Sequence, residues 1–372
     1  MPGIGKSPIF WYTEDKSRAE GEKRTLKTIW LGMSGGVDSS AAALLLRQQG
    51  YNVVGITLRL HGQAERDCTD ARRVCEALGI EHRILDGRER FRGVVISRFI
   101  EEYYAGRTPN PCVVCNRRIK FGWMLDEALR SGADGIATGH YANTAYDPVS
   151  GRWQLRCSRS GKDQSYMLYG LSQEQLAHTL FPLRDREKDE VRRLAKEAGL
   201  PVADKGDSME ICFVPDDDYI AFLNAEAGRP MLPGNFVDKN GRVLGRHAGL
   251  PRYTVGQRKG LGVSFGRPMY VVALDAARNE VVLGEEGRQM SSVLFADEVN
   301  YLSVGRPDAP IAVQAKIRYQ APPAQAVLTP LDDSRVRVDF AQPQRSVTPG
   351  QAVVFYDGDL VLGGGTIYAG AQ

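Results

Sequence analysis

Hydrophobic and polar positions change their period several times along the chain. Residues 28–33 (TIWLGM) form a short apolar run, 34–39 (SGGVDS) a turn, and 40–50 (SAAALLLRQQG) a helical stretch ending on Gly50. A β-branched run follows at 51–60 (YNVVGITLRL), then a helix over Asp70 to Leu78 ending at Gly79, then a third strand at 80–86 (IEHRILD). Residues 133–142 (ADGIATGHYA) read as another strand running into a loop. Strands alternating with helices predict a parallel sheet covered on both faces, an α/β class.

The character shifts near Leu200. Residues 205–230 (KGDSMEICFVPDDDYIAFLNAEAGRP) read as loop-rich. Beyond them, 252–262, 269–284, 312–320, 334–340 and 351–370 read as short strands joined by turns, with Asp357-Gly358 marking a hairpin. A chain of 372 residues is too long for one ordinary core. The expected division is a flexible extension at 1–24, an α/β domain at 25–212, a central β-rich domain at 213–287 and a C-terminal β domain at 288–372.

Composition narrows the class. Hydrophobic content of 42% and charged content of 25% are those of a globular protein, and no apolar run approaches the ~20 residues that span a bilayer. The N-terminal residues mix acids and bases without an apolar core, so a frayed extension is expected there rather than a secretory signal, and a cytoplasmic location with it. The net charge of +3 does not by itself demand a nucleic-acid partner, although local basic patches remain compatible with one.

The first strand–turn–helix unit carries the clearest chemistry. Ser34-Gly35-Gly36-Val37-Asp38-Ser39 places two glycines where the backbone turns tightly, just before a helix whose free N–H groups and positive dipole end face the turn. That arrangement suits a pyrophosphate, with Asp38 as a candidate Mg2+ ligand. No GxxxxGK[ST] loop occurs: Gly5-Lys6-Ser7 lacks the upstream glycine. The glycines from Gly260 have the wrong spacing for a dinucleotide fingerprint, and no long helix follows them.

The six cysteines are Cys68, Cys75, Cys112, Cys115, Cys157 and Cys212. Residues 108–121 (TPNPCVVCNRRIKF) hold a Cys-x-x-Cys pair between prolines and bases. A structural zinc site needs four ligands, and neither a second such pair nor a His-x3–5-His partner is present. No metal site built by these cysteines and histidines is expected. The basic run Arg117, Arg118 and Lys120 is expected to lower the pKa of a nearby thiol and to attract phosphate.

The SGGxDS loop resembles that of the PP-loop ATP pyrophosphatases, which cleave ATP between its α and β phosphates and adenylate an oxygen. The ordered stretches MSGGVDSS, TPNPCVVCNRRIKF, ATGHYA, KDQSYMLY, DSMEICF, YTVGQRKGLG and PGQAVVFYDGDLVLGGG together resemble the tRNA-specific 2-thiouridylases, from about Thr28 to the C-terminus. The resemblance implies a PP-loop α/β domain, a small central domain and a C-terminal β-barrel. It implies ATP-dependent thiolation of the wobble uridine of tRNA, with ATP and Mg2+ as cofactors, and with tRNA and a persulfide sulfur donor as partners.

Carried over by resemblance, Cys212 matches the persulfide cysteine and Cys115 the cysteine that attacks it, leaving a transient disulfide. Gly32, Met33, Ser34, Gly35, Gly36, Val37, Asp38, Ser39, Leu58 and Gly139 match nucleotide-binding positions. Asn110, Pro111 and Cys112 match the segment touching the target base. Lys162, Asp163, Gln164, Arg318 and Tyr319, with His140 and Gln351, match tRNA-contacting positions. Cys112 stands where many members carry Asp, and residues 58–67 are shorter than in the family. Two rival chemistries remain: a PP-loop enzyme using nitrogen, and a thiolase holding an iron–sulfur cluster on Cys112, Cys115 and Cys212.

Overall fold

The computed structural model describes residues 27–62, 64–203, 205–206 and 211–371, apart from the side chains of 64–67 and 371. The expected extension at 1–24 and part of the DSMEICF stretch lie outside them. Strand β1 (Thr28–Gly32) is buried at Ile29, Trp30 and Leu31 in succession, as a strand covered on both faces requires. Helix α1 (Val37–Gln48) follows, and its small residues Ser39 to Ala43 are all buried. Then come β2 (Asn52–Arg59), helix α2 (Ala64–Leu78) and β3 (Glu81–Asp86). Gly50 and Gly79 close the two helices with φ of +82° and +61°, a left-handed conformation that glycine enters without strain.

Helical residues 88–104 and 111–130 follow, each interrupted by π-helical turns, at Arg92–Ile96 and Asn116–Trp123. Strand β4 (Gly135–Ala137) returns to the sheet beside β1. Strands β5 (Ala142–Asp147) and β6 (Arg152–Cys157) form an antiparallel hairpin, and β7 (Thr179–Leu180) rejoins β4. The first sheet is parallel, in the order β3-β2-β1-β4-β7. Its order reverses between β1 and β4, so their C-terminal ends open a crevice, the usual ligand position in such sheets.

Strands β8 (Gly234–Val237), β9 (Val243–His247), β10 (Tyr270–Asp275) and β11 (Glu280–Gly284) form a small central sheet around Phe236 and Val271. Strands β12 (Met290–Tyr301), β13 (Ile311–Lys316), β14 (Ala324–Pro330), β15 (Val336–Arg345), β16 (Ala352–Asp357) and β17 (Leu360–Ala371) close into a six-stranded barrel, because β12 pairs with both β15 and β17. Closure leaves the barrel no free edge. The architecture is the expected one: a PP-loop-type parallel sheet, a central domain and a C-terminal β-barrel. Strand β6 also pairs with β17, so the hairpin within the first segment extends the barrel's sheet.

Three local expectations change. Residues 252–262 form no strand; they run as turns after a short 3-10 segment at Leu250–Arg252. The stretch read as loop-rich holds a helix at Tyr219–Glu226, whose first turn is capped by Asp218 accepting from the Ala221 N–H at 2.9 Å. The β16–β17 turn is centred on Gly358 and Asp359, since Asp357 pairs with Leu360.

Gly135 tests the tightness of the sheet. A Cβ there would lie 2.4 Å from the carbonyl oxygen of His178, a backbone atom that cannot turn aside. Gly135→Ala should destabilise the protein by about 1–3 kcal/mol, lowering the melting temperature by several degrees in calorimetry. An unchanged melting temperature would show that β4 and β7 can separate freely.

Candidate active site

The loop after β1 sits at the mouth of the crevice. Gly35 has φ of +68°, and Gly36 is the N-cap of α1 without any side-chain cap. The serines instead tie the loop to itself: Ser39 Oγ donates to the Gly36 carbonyl at 3.1 Å, and Ser40 Oγ to the same carbonyl at 2.9 Å. The leading N–H groups of α1 are therefore left for an anion. Gly139, at the end of β4, faces the same turn; a Cβ would come within 2.9 Å of Asp38 C and Ser39 N. The loop and the β4 end can approach this closely only because that residue is glycine. Met33 is buried, its N–H donating to Ile56 O at 2.7 Å, and Leu58 lies half-buried on the adjoining strand. Gly32, Val37 and the other nucleotide candidates thus fall in one place.

Asp38 is heavily engaged. Both its carboxylate oxygens lie 2.8 Å from Lys188 Nζ, and the Tyr141 hydroxyl donates to Oδ1 at 2.8 Å. A second lysine, Lys205, reaches the Gly35 carbonyl at 3.1 Å and the Asp70 carboxylate at 2.8 Å. Sequence reasoning missed Lys188, Lys205, Tyr141 and Asp70. Lone lysines in polar surroundings carry no local signal, and Lys188 is 150 residues from its partner.

The thiols form a second centre. Helical residues 111–130 start with Pro111, which needs no N–H partner at that position, and the first turn carries both Cys112 and Cys115. Cys115 is 8% exposed and belongs to the apolar cluster that also holds Phe91, Phe99 and Phe213. Phe213 packs edge-on against Phe91 and Phe99 at 5.5 and 5.2 Å, which anchors the neighbouring, exposed Cys212 over that cluster. Cys115 and Phe213, the neighbour of Cys212, belong to the same apolar cluster, and charges on Cys212 and on Cys112 both act to raise the Cys115 pKa.

The basic flank acts less strongly than expected. Burial pushes the Cys115 thiol up to about 12, and Lys120 offsets this only in part. Cys112 has open surface, yet the surrounding protein is dense enough that burial raises its thiol too, again against Lys120. Of the three basic residues, only Lys120 acts on the thiols; Arg117 and Arg118 are exposed and line a cleft with Arg98, Asn110 and Pro111. The expectation of a cation-stabilised thiolate is corrected: desolvation outweighs the single nearby charge. His140 is held well below its ordinary pKa by burial and then by Lys120, so its ring, beside Phe121 at 5.7 Å, is neutral.

The tRNA candidates divide by contact. Asn110 donates to Met167 Sδ at 3.5 Å. Asp163 is spent on its own loop, accepting from Ser158 N at 2.8 Å and Ser165 Oγ at 2.8 Å, while Gln164 Oε1 accepts from Tyr141 N at 3.2 Å. Tyr319 donates to Asp163 O at 3.0 Å and Gln351 to Thr108 O at 2.9 Å. Lys162 and Arg318 are exposed, and Arg318 donates to the Arg345 carbonyl at 3.3 Å.

Comparison with known proteins agrees with this layout. Residues 27–216 match the family described as tRNA methyl transferase HUP domain, 221–285 its PRC-barrel domain and 291–367 an aminomethyltransferase β-barrel domain. The tRNA-specific 2-thiouridylase MnmA of Desulfitobacterium hafniense is 50% identical over 362 residues, covering 92% of this chain and 98% of that protein. Those of Acetivibrio thermocellus and Moorella thermoacetica are 50% and 51% identical over 355 residues, covering 92% of this chain and 99% of each relative. The chain belongs to the tRNA-specific 2-thiouridylase family.

Within that family frame, the fit of a magnesium ion is poor from protein ligands alone. Asp38 is a single carboxylate already neutralised by Lys188, and among the described residues no group of three His, Cys, Asp or Glu side chains is arranged to hold a metal. A nucleotide's phosphates would have to supply most of the ion's ligands.

The raised Cys115 pKa has a direct readout. Alkylation of Cys115 by iodoacetamide, followed by peptide mass spectrometry, should accelerate about tenfold per pH unit from pH ~7 to ~10 without levelling. A plateau near neutral pH would mean that the thiol is already ionised and would contradict the burial argument.

Proposed function

We propose that the chain is an ATP-dependent tRNA 2-thiouridylase. The observation carrying this is that one domain holds both an uncapped, glycine-lined anion turn and an apolar cluster containing Cys115 and Phe213, the neighbour of Cys212. The wobble uridine O2 attacks the α phosphate of ATP; an O–P bond forms, the Pα–O–Pβ bond breaks, and pyrophosphate leaves. Cys212 carries the sulfane sulfur delivered by a persulfide donor. Cys115, once deprotonated, attacks the Cys212 sulfur, forming a Cys115–Cys212 disulfide and releasing hydrosulfide. Hydrosulfide adds to C2 of the activated uridine, and AMP departs with the original oxygen. A thiol reductant then supplies two electrons to restore both cysteines.

The high Cys115 pKa supports a substrate-gated version of this sequence. Burial keeps the thiol neutral in the free protein, and Lys120 is the cation positioned to favour the thiolate once a polar substrate fills the cleft. Asn110, Pro111 and Cys112 lie at the start of the same helix and are assigned to the target base. Lys162, Arg318 and the Arg117–Arg118 cleft are assigned to the tRNA backbone, a salt-sensitive contact. The divisions 25–212, 213–287 and 288–372 are proposed as catalytic, central and tRNA-binding units. A methyl-transfer reading, which the family descriptions name, gives the two coupled cysteines no task.

The test is nucleoside mass spectrometry of tRNA incubated with ATP, a persulfide donor and each variant. Cys115→Ser and Cys212→Ser should lose 2-thiouridine formation by on the order of a thousandfold or more, while Cys112→Ser keeps most of it. Equal loss in all three variants, with iron bound to the wild type, would favour a cluster instead.

A further inference from the structure

A cavity of about 330 Å³ lies where the three units meet, away from both the α1 turn and the thiols. Its walls come from Arg107 after the first helical segment, from Val255 and Leu274 of the central unit, and from Gln289, Val347 and Tyr368 of the barrel. Those walls are pinned together. Gly256, with φ of +93°, comes so close to the barrel that a Cβ would collide with Ser346 Oγ, and Ser346 N donates to the Gln289 carbonyl at 2.8 Å. Walls fixed in this way do not collapse onto the space between them, so the cavity holds water or a ligand. Gln289 points to which. Its side chain belongs to a residue only 7% exposed, yet among the described residues no donor reaches its Oε1. A buried carbonyl oxygen without a donor is costly, and its cost is removed when a donor arrives.

The charges around the cavity have one sign. No Asp or Glu side chain lines it, and Arg288 stands exposed at its rim. Arg107 is already held by Glu102 at 2.5 and 2.8 Å, which leaves Arg288 as the cation offered to a ligand. Beyond the rim the basic track continues: Arg345 is the cross-strand partner of Met290, and its carbonyl accepts from Arg318 at 3.3 Å. The buried acceptor calls for an N–H edge, the aliphatic walls and the Tyr368 ring for a flat ring, and Arg288 for an anion. A nucleobase carrying its phosphate supplies all three. The volume is that of a small ligand site, which begins at roughly 300 Å³. We infer that this cavity is a second nucleotide site, separate from the α1 turn. The base donates an N–H to Gln289 Oε1, its ring lies against Val255 and Leu274, and its phosphate meets Arg288. The nucleotide comes from one of two sources, an unpaired position of tRNA following the Arg288–Arg345–Arg318 track or a free nucleoside monophosphate. Pro349 also lines the cavity, and its carbonyl accepts from Thr108 N at 2.8 Å, so an occupant braces the segment that leads to Cys112. The inference needs no thiol and stands apart from the sulfur-transfer reading.

The test is calorimetric titration of the full chain with AMP, GMP, CMP and UMP in turn, in the presence of a saturating non-hydrolysable ATP analogue that occupies the α1 turn. At least one monophosphate should bind saturably. Gln289→Leu should weaken that binding roughly threefold to tenfold, the effect of one neutral hydrogen bond, and Arg288→Met roughly tenfold, the effect of a charge-assisted one. Leucine keeps the bulk of the side chain and removes the unpaired oxygen, so Gln289→Leu should melt at or above the wild-type temperature, which separates lost binding from lost folding. Titration with tRNA distinguishes the sources. If the nucleotide belongs to tRNA, saturating tRNA excludes the monophosphate, both variants bind tRNA more weakly, and Arg288→Met alone lowers the salt slope by about one. Monophosphate binding that persists under saturating tRNA assigns the cavity to the free nucleotide. Monophosphate and tRNA affinities that are the same in Gln289→Leu as in the wild type would overturn the inference. A lower melting temperature of Gln289→Leu with those affinities unchanged would also overturn it, and would make the occupant water.

Discussion

The backbone of Thr108 is held from the far end of the chain, and the site depends on that hold. Thr108 N donates to the Pro349 carbonyl at 2.8 Å, and Gln351 Nε2 donates to the Thr108 carbonyl at 2.9 Å. Gly350, with φ of +90°, lies so close that a Cβ would sit 2.9 Å from Thr108 N and O. The irregular residues 107–110 have no ladder or helix to pair with, and for Thr108 the barrel satisfies both backbone groups instead. Further ties follow the same line: the Tyr166 hydroxyl donates to Ala352 O at 2.8 Å, and Asn300 Nδ2 to Tyr169 O at 2.7 Å. The barrel is thereby part of the mould that aims Cys112 and Cys115.

Two electrostatic arrangements sit within that mould, and both keep charge out of action in the free protein. At the α1 turn, carboxylates and ammonium groups neutralise each other at 2.8 Å. At the thiols, burial keeps Cys115 protonated despite Lys120. In each case the charges of the free state are paired or absent, and under the proposed function a polyanionic substrate changes that balance. A thiol kept neutral by burial is also slow to react with a persulfide or an oxidant.

What could be read from the sequence was what is local. The Ser34–Ser39 turn, Gly50 and Gly79 as helix ends, and the alternation that builds β1 to β4 all depend on residues a few positions apart. The direction of the Cys115 shift was not legible, because three bases within five residues look decisive until packing shows that the thiol is buried in the cluster that holds Phe91, Phe99 and Phe213 and that two of the bases line an exposed cleft. The Lys188–Asp38 pair joins residues 150 positions apart, and the pairing of β6 with β17 joins Leu155 to Val361; neither leaves a periodic trace. Residues 252–262 alternate like a strand, yet glycines at 256, 260 and 262, all with positive φ, bend them into turns. The helix at Tyr219–Glu226 was hidden by the acidic residues before it, one of which turned out to be its cap.

The central claim is that Cys115 and Cys212, and not the neighbouring Cys-x-x-Cys pair, exchange sulfur. Disulfide mapping by mass spectrometry after a single turnover, with persulfide loaded on the enzyme and no reductant present, addresses it most directly. A Cys115–Cys212 bridge appearing in proportion to 2-thiouridine formed is the predicted result. A Cys112–Cys115 bridge, or thiolated product with all cysteines still reduced, would contradict it.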